Sequence, residues 1–269
     1  MRLRLRGINL TLPRRIDGKP IRVPVIAGLK IGLTGEMYLL DLLYTLLPAS
    51  EGAIVDIGAN IGQTLSKAKL ADPARPYYGF EPNPACFHYL DRFIEVNKWK
   101  NITLFPFGIA DQTSILRLHT SAGKATDPEA TFLPDANPNH HADSSRTAVV
   151  LDYARVAPFI KEPIAFLKID VEGMELDIIK SLRTAIMTDL PVVVLEMLSL
   201  PSLAERHAES VELLNSFGYR VFFIETDKKR RLAGLKEIRS YENIAAPLKA
   251  DYVALTGAHA AAFDSSIWR

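Results

Sequence analysis

Val55-Asp56-Ile57-Gly58-Ala59-Asn60-Ile61-Gly62 is the segment that sets the architecture, because an apolar run breaks there into a small-residue loop. Residues 53–57 are typical of a buried parallel strand, and Gly58 and Gly62 let the loop backbone approach a ligand closely. A helix behind the loop would direct free N–H groups at that ligand. Dinucleotide-binding chains hold a pyrophosphate here with G-x-G-x-x-G, whereas Ala-Asn-Ile separates these two glycines. The spacing predicts a nucleotide without a diphosphate, and an ordinary strand-to-helix turn is the alternative.

Strand and helix patterns alternate after this loop. A strand over 77–80, a helix over 84–96 and a strand over 102–107 give the order βαβαβ. This order predicts an α/β fold, in which a mostly parallel sheet carries helices on both faces. Further strands are predicted over 164–170, 192–196, 219–224 and 252–255, and helices over 174–184 and 203–217.

The whole chain, residues 1–269, is predicted to form a single domain. Its core spans 36–256, after a basic accessory segment (1–35) whose alternating Arg-Leu start favours a small strand or hairpin. Residues 120–145 are polar and without periodicity, which is typical of a lid-like insertion or of disorder. Residues 257–269 are expected to be a carboxyl-terminal tail.

Composition excludes several classes of protein. With 48% hydrophobic residues, 269 residues can bury a full core. The balance of 32 basic and 31 acidic residues leaves a charge of +1, which disfavours a dedicated nucleic-acid binder. Cys86 is the only cysteine, so no intrachain disulfide or cysteine zinc cluster can form, and a reducing cytoplasm is expected. We predict neither a secretory signal nor a transmembrane segment.

Acidic residues follow most of the predicted strands. The carboxyl ends of parallel strands meet at one edge of a sheet, where ligands bind. Carboxylates buried at such an edge cost free energy unless a partner bonds to them, so their number predicts a polar ligand. The residues concerned are Asp56, Glu81, Asp111, Asp170, Glu172 and Glu196.

Glu81 ends the second strand about twenty residues after the glycine loop, an offset at which a carboxylate can accept both hydroxyls of a ribose. The alternative is an acid at a helix N-terminus, because Asn83 and Pro84 resemble a cap and a first turn.

Lys168-Ile169-Asp170-Val171-Glu172-Gly173 ends a buried strand in two carboxylates spaced two residues apart. Extended geometry would place both side chains on one side of the strand. Such a pair can hold a substrate hydroxyl, share a proton or coordinate a hard cation. A helix-capping acid pair is the alternative.

Four blocks of the chain resemble the successive motifs of the FkbM family of S-adenosylmethionine-dependent methyltransferases, in the same order and with similar spacing. The resemblance covers residues 36–197 and more faintly the last strands, but not the basic start or the insertion. The blocks are Val55 to Gly62, Phe80-Glu81-Pro82-Asn83-Pro84, Asn101 to Asp111, and Lys168-Ile169-Asp170-Val171-Glu172-Gly173-Met174-Glu175-Leu176.

The resemblance implies a class I methyltransferase (Rossmann-like) sheet of seven strands, the last of them antiparallel. It also implies S-adenosylmethionine as the cofactor, with S-adenosylhomocysteine as the product, and Glu81 at the ribose. Asp56 would lie by the amino group or a structural water, Glu36 would reach the cofactor from the preceding helix, and Asp170 would lie beside it. The methionine part is assigned to Gly58, Ala59, Asn60 and Gly62, and the adenine to Asn83, Gly108, Ile109, Ala110 and Asp111.

Methyl transfer to oxygen is an in-line displacement, so the protein must align the reactants and exclude water. Asp170 and Glu172 are the first candidates to orient or deprotonate an acceptor hydroxyl, and Glu196 is the third. His140 and His141 could supply a base from a closing loop. Paired histidines among prolines and asparagines are more often solvated, and we favour that interpretation.

Two further sites are considered and not favoured. Asp170, Glu172 and Glu196 could bind magnesium as a divalent cation, but no residue completes a ligand set, so we predict no metal. The basic turn at 228–231 could contact a phosphate, but a solvated hairpin tip is the favoured interpretation.

The leading functional hypothesis is O-methylation of a hydroxyl on a sugar, glycan, glycolipid or polyketide-like acceptor. A nucleic-acid methyltransferase is disfavoured, since no Asn/Asp-Pro-Pro-Tyr/Phe motif ends the fourth strand. The third hypothesis is a cofactor-binding protein without turnover that serves as a partner. The expected partner is a small-molecule or glycan acceptor and not a nucleic acid, and a homodimer is compatible with this view.

Overall fold

The computed structural model describes residues 10–26, 30–120, 126, 130–133, 145–198, 200–238 and 249–269. The strands are β1 (Leu10–Ile16), β2 (Lys19–Val25), β3 (Ala53–Ile57), β4 (Tyr77–Phe80), β5 (Ile102–Phe105), β6 (Gly108–Ile109), β7 (Ser114–His119), β8 (Ser145–Leu151), β9 (Ile164–Ile169), β10 (Val192–Leu198), β11 (Arg220–Thr226), β12 (Leu232–Ile238) and β13 (Lys249–Leu255). The α-helices are α1 (Met37–Leu46), α2 (Gln63–Ala71), α3 (Pro84–Asn97), α4 (Glu175–Ser181), α5 (Arg183–Asp189), α6 (Ala204–Ser216) and α7 (Gly257–Ala260).

The main sheet has eight strands in the order β12-β11-β13-β10-β9-β3-β4-β5. Strands β5, β4, β3, β9 and β10 pair in parallel, and β13 pairs antiparallel with both β10 and β11. All five residues of β3 are buried, as expected for a central strand covered on both faces. The predicted α/β class and antiparallel last strand are confirmed. The sheet has one strand more than predicted, because β12 pairs with β11 at its edge.

The amino-terminal segment contributes an antiparallel hairpin of β1 and β2, as its pattern favoured, although residues 1–9 lie outside the described residues. Ile16, Ile21 and Val23 of the hairpin pack in one core cluster with Phe93 of α3. The Tyr89 hydroxyl of α3 donates a hydrogen bond to the carbonyl oxygen of Pro24 at 2.8 Å. The hairpin is thus attached to the helix that follows Glu81.

A second, three-stranded sheet has the order β6-β8-β7 and lies next to the end of β5. The predicted insertion connects β7 to β8, which pair antiparallel. Within it, Thr131 pairs with His119 through two backbone hydrogen bonds of 2.8 and 3.1 Å. Residues 130–133 are described, whereas His140 and His141 lie outside the described residues.

The helix predicted over 174–184 is instead two short helices, α4 and α5, that meet at Leu182. Leu182 has a ψ of 6°, which turns the chain between them, and its side chain is fully buried in the core. Helix α5 ends at Asp189, and the residue that follows it, Leu190, has a left-handed backbone with φ 48°. Glycine usually occupies this position at the end of a helix, but here it is leucine. Within the described ranges, no helix is both long enough and apolar enough to cross a bilayer.

The predicted tail is folded against the edge of the main sheet. Trp268 forms a bridge with Leu235 of β12, and its ring centroid lies 5.1 Å from that of Phe222. The carboxyl terminus therefore covers the edge that the additional strand creates.

Gly58 lies where the end of β3 comes close to the end of β9. Its φ is 88°, and an added Cβ would lie 1.9 Å from the carbonyl oxygen of Asp170. Gly218 has nearly the same φ, 87°, with open space around it, and serves as the matched control. We expect Gly218→Ala to lower the free energy of unfolding by about 1 kcal/mol through backbone strain, and Gly58→Ala by about 3 kcal/mol or more because a clash is added. Urea unfolding measures both, and equal losses would contradict the close approach of β9.

Candidate active site

The loop after β3 crosses the end of β4. The N–H groups of Gly58 and Ala59 both donate to the carbonyl oxygen of Phe80 at 3.0 Å. Asn60 has a φ of 47°, which turns its own N–H toward the residue that follows β4. The glycine loop and the acidic strand end therefore form one structural unit.

Glu81 is the acidic residue of this unit. Its Oε2 accepts a hydrogen bond from the N–H of Asn60 and its Oε1 from the N–H of Asn83, both at 2.7 Å. Burial raises the pKa of the Glu81 carboxyl to about 7, although these two N–H groups lower it. A carboxylate offers about four acceptor positions. The two bonds therefore leave room for two hydroxyl donors, such as those of a ribose.

A cavity opens above the ends of β3, β4 and β9. Its polar lining comes from Asn60, Glu81, Asp170 and Glu172, with the Gly58 backbone between them. The rest of the lining is mostly apolar, which suits a nucleoside base. It consists of Ile57, Pro82, Cys86, Gly108, Ile109, Leu118, Ala130, Phe132, Val171 and Met174.

The donor set of this cavity fits the cofactor that the resemblance implies. Glu81 can hold a ribose, the apolar walls can enclose an adenine, and Asp170 adds a second carboxylate to the lining. Six of the residues predicted to contact the cofactor line the cavity, together with Glu172, which was predicted to be catalytic. They are Gly58, Asn60, Glu81, Gly108, Ile109 and Asp170.

Asp56 does not line the cavity. Successive side chains of a strand point to opposite faces, so Ile57 reaches the cavity and Asp56 lies beneath it. Its carboxylate is fully buried and accepts a hydrogen bond from the Tyr77 hydroxyl. Burial raises the pKa of Asp56 to about 7, while the bond from Tyr77 and the charge of Lys168 lower it. The structure corrects the assignment of Asp56 to the cofactor.

Ala59, Gly62 and Asn83 are also placed away from the cavity. Ala59 packs in the hydrophobic core, and a Cβ added at Gly62 would lie 2.8 Å from Leu90 of α3. Asn83 caps α3, because its Oδ1 accepts a hydrogen bond from the N–H of Ala85 at 3.0 Å. These residues shape the loop and the helix start, so their assignment to the cofactor is corrected to a supporting one.

Ala110 and Asp111 follow the two cavity residues of β6. Ala110 is buried against Val150 and Met174, and Asp111 is exposed at the surface. The predicted adenine contacts of this turn are therefore limited to Gly108 and Ile109.

Asp170 and Glu172 line the cavity, and Glu196 of β10 lies close to both but is not part of the lining. One carboxylate oxygen from each lies within 4.8 Å of those from the other two. Their proximity was predicted, but its geometric basis was wrong. Glu172 has a φ of 53° and Gly173 a φ of 111°, so a left-handed turn, and not an extended strand, positions Glu172.

Lys168 is the residue at this site that sequence reasoning missed. Its Nζ lies 3.3 Å from Asp170 Oδ2 and 3.9 Å from Glu36 Oε1. Burial alone lowers the pKa of Lys168, but the carboxylates around it, Asp170 and Glu36 foremost, raise it well above the ordinary value. Lys168 therefore stays charged in the interior. A single lysine in the otherwise apolar strand β9 was the available signal.

Glu36 lies beside this lysine and does not line the cavity. Its Oε2 is 3.5 Å from Nζ of Lys67, which is fully buried in α2. Burial lowers the pKa of Lys67, and the Glu36 carboxylate opposes that change. Glu36 thus bridges two buried lysines, which corrects its predicted contact with the cofactor to a supporting position.

The insertion and α4 hold the turn at Glu172 from two sides. The Thr131 hydroxyl donates to the carbonyl oxygen of Glu172 at 2.7 Å. Glu175 Oε1 accepts a hydrogen bond from the N–H of Gly173 at 2.9 Å, and burial raises the pKa of Glu175 to about 7. Together with the lining by Phe132, these contacts place the described part of the insertion over the cavity.

The cluster of Asp170, Glu172 and Glu196 is the candidate site for a divalent cation. Its carboxylates could supply oxygen ligands. However, the Lys168 ammonium already lies against Asp170 and provides positive charge there. Asp170 therefore has a partner of opposite charge without a metal ion, and no step below requires one.

The comparisons with known proteins match the part of the chain that contains Glu81 and the Asp170, Glu172 and Glu196 cluster. A family model described as "Methyltransferase FkbM domain" matches residues 56–221, more than half of the chain. A curated relative, Methyltransferase 1 of Beauveria bassiana (strain ARSEF 2860), is 25% identical over 171 residues, which cover 58% of this chain and 69% of the relative.

Two solved structures are similar. Methyltransferase FkbM from Methylobacillus flagellatus KT shares 16% identity over 79% of this chain and 47% of its own, with a TM-score of 0.45, so this chain spans about half of its length. Fibrillarin from Aeropyrum pernix, solved with bound S-adenosyl-L-methionine, shares 14% identity over 91% of this chain and 82% of its own, with a TM-score of 0.44.

Proposed function

The chain belongs to the FkbM methyltransferase family, and we propose from this membership that it transfers a methyl group from S-adenosylmethionine to a hydroxyl oxygen. The acceptor is a sugar, glycan, glycolipid or polyketide-like molecule. The observation that carries the proposal is one cavity lined by Glu81, Asp170 and Glu172, with a carboxylate oxygen of Glu196 within 4.8 Å of those of Asp170 and Glu172. A nucleoside carrying a reactive chain would lie between Glu81 and Asp170.

Glu81 would hold the ribose, since two of its acceptor positions are already fixed by the N–H groups of Asn60 and Asn83. Such prior fixation lowers the entropic cost of binding. Gly58 and Asn60 would hold the methionine part, and Ile109 and Phe132 would enclose the adenine. When bound, S-adenosylmethionine supplies a methyl group on a positively charged sulfur.

Asp170 would orient the acceptor hydroxyl and take its proton onto a carboxylate oxygen. Lys168, 3.3 Å away, holds that carboxylate in place. Glu172 and Glu196 lie close enough to hold neighbouring hydroxyls of a polyhydroxylated acceptor. The wall formed by Phe132 and Met174 would exclude water from the reacting groups.

The affinity for S-adenosylmethionine should depend on pH through Glu81. Its ionised form accepts the ribose hydroxyls, so binding favours the deprotonated carboxyl. Because the pKa of free Glu81 is about 7, lowering the pH from 8 to 6 is expected to weaken binding about tenfold. Calorimetry at the two pH values measures this change. Glu81→Gln is the control, and a pH dependence that persists in that variant would assign the effect to another group.

Methyl transfer itself tests the proposal. Labelled S-adenosylmethionine is incubated with pairs of acceptors that differ only in carrying a hydroxyl or an amino group, and mass spectrometry identifies the product. The expected product is a methyl ether from the hydroxyl member of a pair. Methylation of the amino members alone, or of RNA or DNA in place of small molecules, would contradict oxygen as the acceptor atom.

The proposal includes a cytoplasmic location. Cys86 is buried and is the one cysteine of the sequence, so the chain forms no internal disulfide, which is compatible with a reducing compartment.

A further inference from the structure

A basic groove lies where the β1–β2 turn, the start of α1 and the β11–β12 turn meet. It is lined by Arg15, Ile16, Asp17, Thr34, Gly35, Met37, Lys228, Lys229, Arg230 and Arg231. Five of these ten residues are cationic and one is acidic. The whole chain carries a net charge of only +1, so the groove concentrates positive charge.

The β11–β12 turn is an exposed hairpin tip, as the sequence favoured, and its backbone is held in place. Asp227 Oδ1 accepts hydrogen bonds from the N–H groups of Lys229 and Arg231 at 2.8 and 2.9 Å. The carbonyl oxygen of Arg230 accepts one from the N–H of Tyr38 in α1 at 2.6 Å. Because these bonds already fix the backbone of the turn, the turn would lose little conformational entropy when a ligand binds to it.

The acidic residue of the groove, Asp17, is already paired with Arg231. Arg231 contacts the carboxylates of Asp17 and Asp41, and it thereby joins the β1–β2 turn to α1. The exposed side chains of Lys228, Lys229 and Arg230 form no ion pair with any residue in the described part of the chain. These three cations are therefore available to an external anion.

The groove borders the site through Glu36. Its neighbours Gly35 and Met37 line the groove. The Glu36 side chain lies 3.9 Å from Lys168, which in turn lies 3.3 Å from Asp170. Glu36 and Lys168 therefore connect the groove to the carboxylates that would receive the acceptor hydroxyl.

We propose that the basic groove binds a phosphate-type oxyanion carried by the acceptor, so that the substrate is a phosphorylated or pyrophosphorylated hydroxy compound. This inference rests on the proposed function, because it places the acceptor between the groove and Asp170. Arginine and lysine together match such a group, since arginine offers paired donors and lysine a compact charge.

Binding of inorganic pyrophosphate tests the groove directly, by calorimetry on the full chain at low salt. The wild-type chain is expected to bind it, and Lys228→Gln/Lys229→Gln/Arg230→Gln to bind it at least about tenfold more weakly. The matched control removes three exposed charges elsewhere, by Lys100→Gln/Arg155→Gln/Lys161→Gln, and should change affinity less than about twofold. No binding by the wild type, or equal weakening in both variants, would overturn the proposal.

A second arm distinguishes the source of the oxyanion. Vesicles containing phosphatidylglycerol are tested beside pyrophosphate, and binding to vesicles without binding to pyrophosphate would assign the groove to a lipid surface and overturn the proposal. In transfer assays, the phosphate ester of a hydroxy sugar should show a KM at least about tenfold below that of the free sugar, and the groove variant should lose this difference. Equal KM values in the wild type would also overturn it.

The failures of the two proposals remain distinguishable. If S-adenosylmethionine does not bind, the proposed function fails, whatever pyrophosphate does. If S-adenosylmethionine binds and free hydroxy sugars are methylated as efficiently as their phosphate esters, only the groove assignment fails.

Discussion

Asp170→Asn is expected to lower the rate of methyl transfer by about 100- to 10,000-fold, the range typical for loss of a positioned general base. Asparagine has nearly the same shape but cannot take a proton from the acceptor hydroxyl. Affinity for S-adenosylmethionine is expected to stay within about threefold of the wild type, since a change confined to the transition state lowers kcat and not cofactor binding. Single-turnover transfer and calorimetry measure the two quantities separately.

Two variants accompany that measurement. Asp111→Asn removes an exposed carboxylate that follows β6 outside the cavity, and its rate should match the wild type. Glu172→Gln tests the neighbouring carboxylate, which lies within 4.8 Å of the Asp170 carboxylate. Transfer at the wild-type rate by Asp170→Asn would refute the assignment of the base, and a large loss in Glu172→Gln alone would move that role to Glu172.

Glu81→Gln is expected to weaken S-adenosylmethionine binding by about 100-fold, because hydrogen bonds to a charged group contribute about 1.5–3 kcal/mol each. The variant keeps the length of the side chain but loses its charge. Its amide group also cannot accept from both Asn60 and Asn83, whose N–H groups now bond to the two carboxylate oxygens. Calorimetry measures the affinity, and thermal unfolding without ligand verifies that the variant is folded.

Asp111→Asn is again the control for Glu81, since both acids were assigned to the nucleoside by resemblance and only Glu81 lines the cavity. Its affinity should equal that of the wild type. Equal weakening in the two variants would mean that the nucleoside lies over β6 instead of against Glu81.

Much of the site was predictable because parallel strands place their ends at one edge. The glycine loop, Glu81, the two acids after β9 and Glu196 were all identified from that rule, although β10 continues past Glu196 to Leu198. The rule does not give the direction of each side chain. Asp56 was therefore assigned to the cavity, although its side chain bonds to that of Tyr77 on the neighbouring strand.

Other parts of the site depend on contacts between distant segments. Leu118 and Phe132 reach the cavity only because β7 and the insertion fold back over it, and no local pattern specifies that. The charged state of Lys168 depends likewise on Glu36, which precedes it by more than a hundred residues. Non-glycine residues with a left-handed backbone, such as Glu172 and Leu190, were also not predicted, because their side-chain type rarely indicates that conformation.

Calorimetric titration of the wild-type chain with S-adenosylmethionine and, separately, with NAD tests the assignment of the cavity most directly. The glycine loop with Glu81 predicts that S-adenosylmethionine binds at one site per chain and that NAD, which carries a diphosphate, does not bind. Binding of NAD without binding of S-adenosylmethionine would contradict the proposed function.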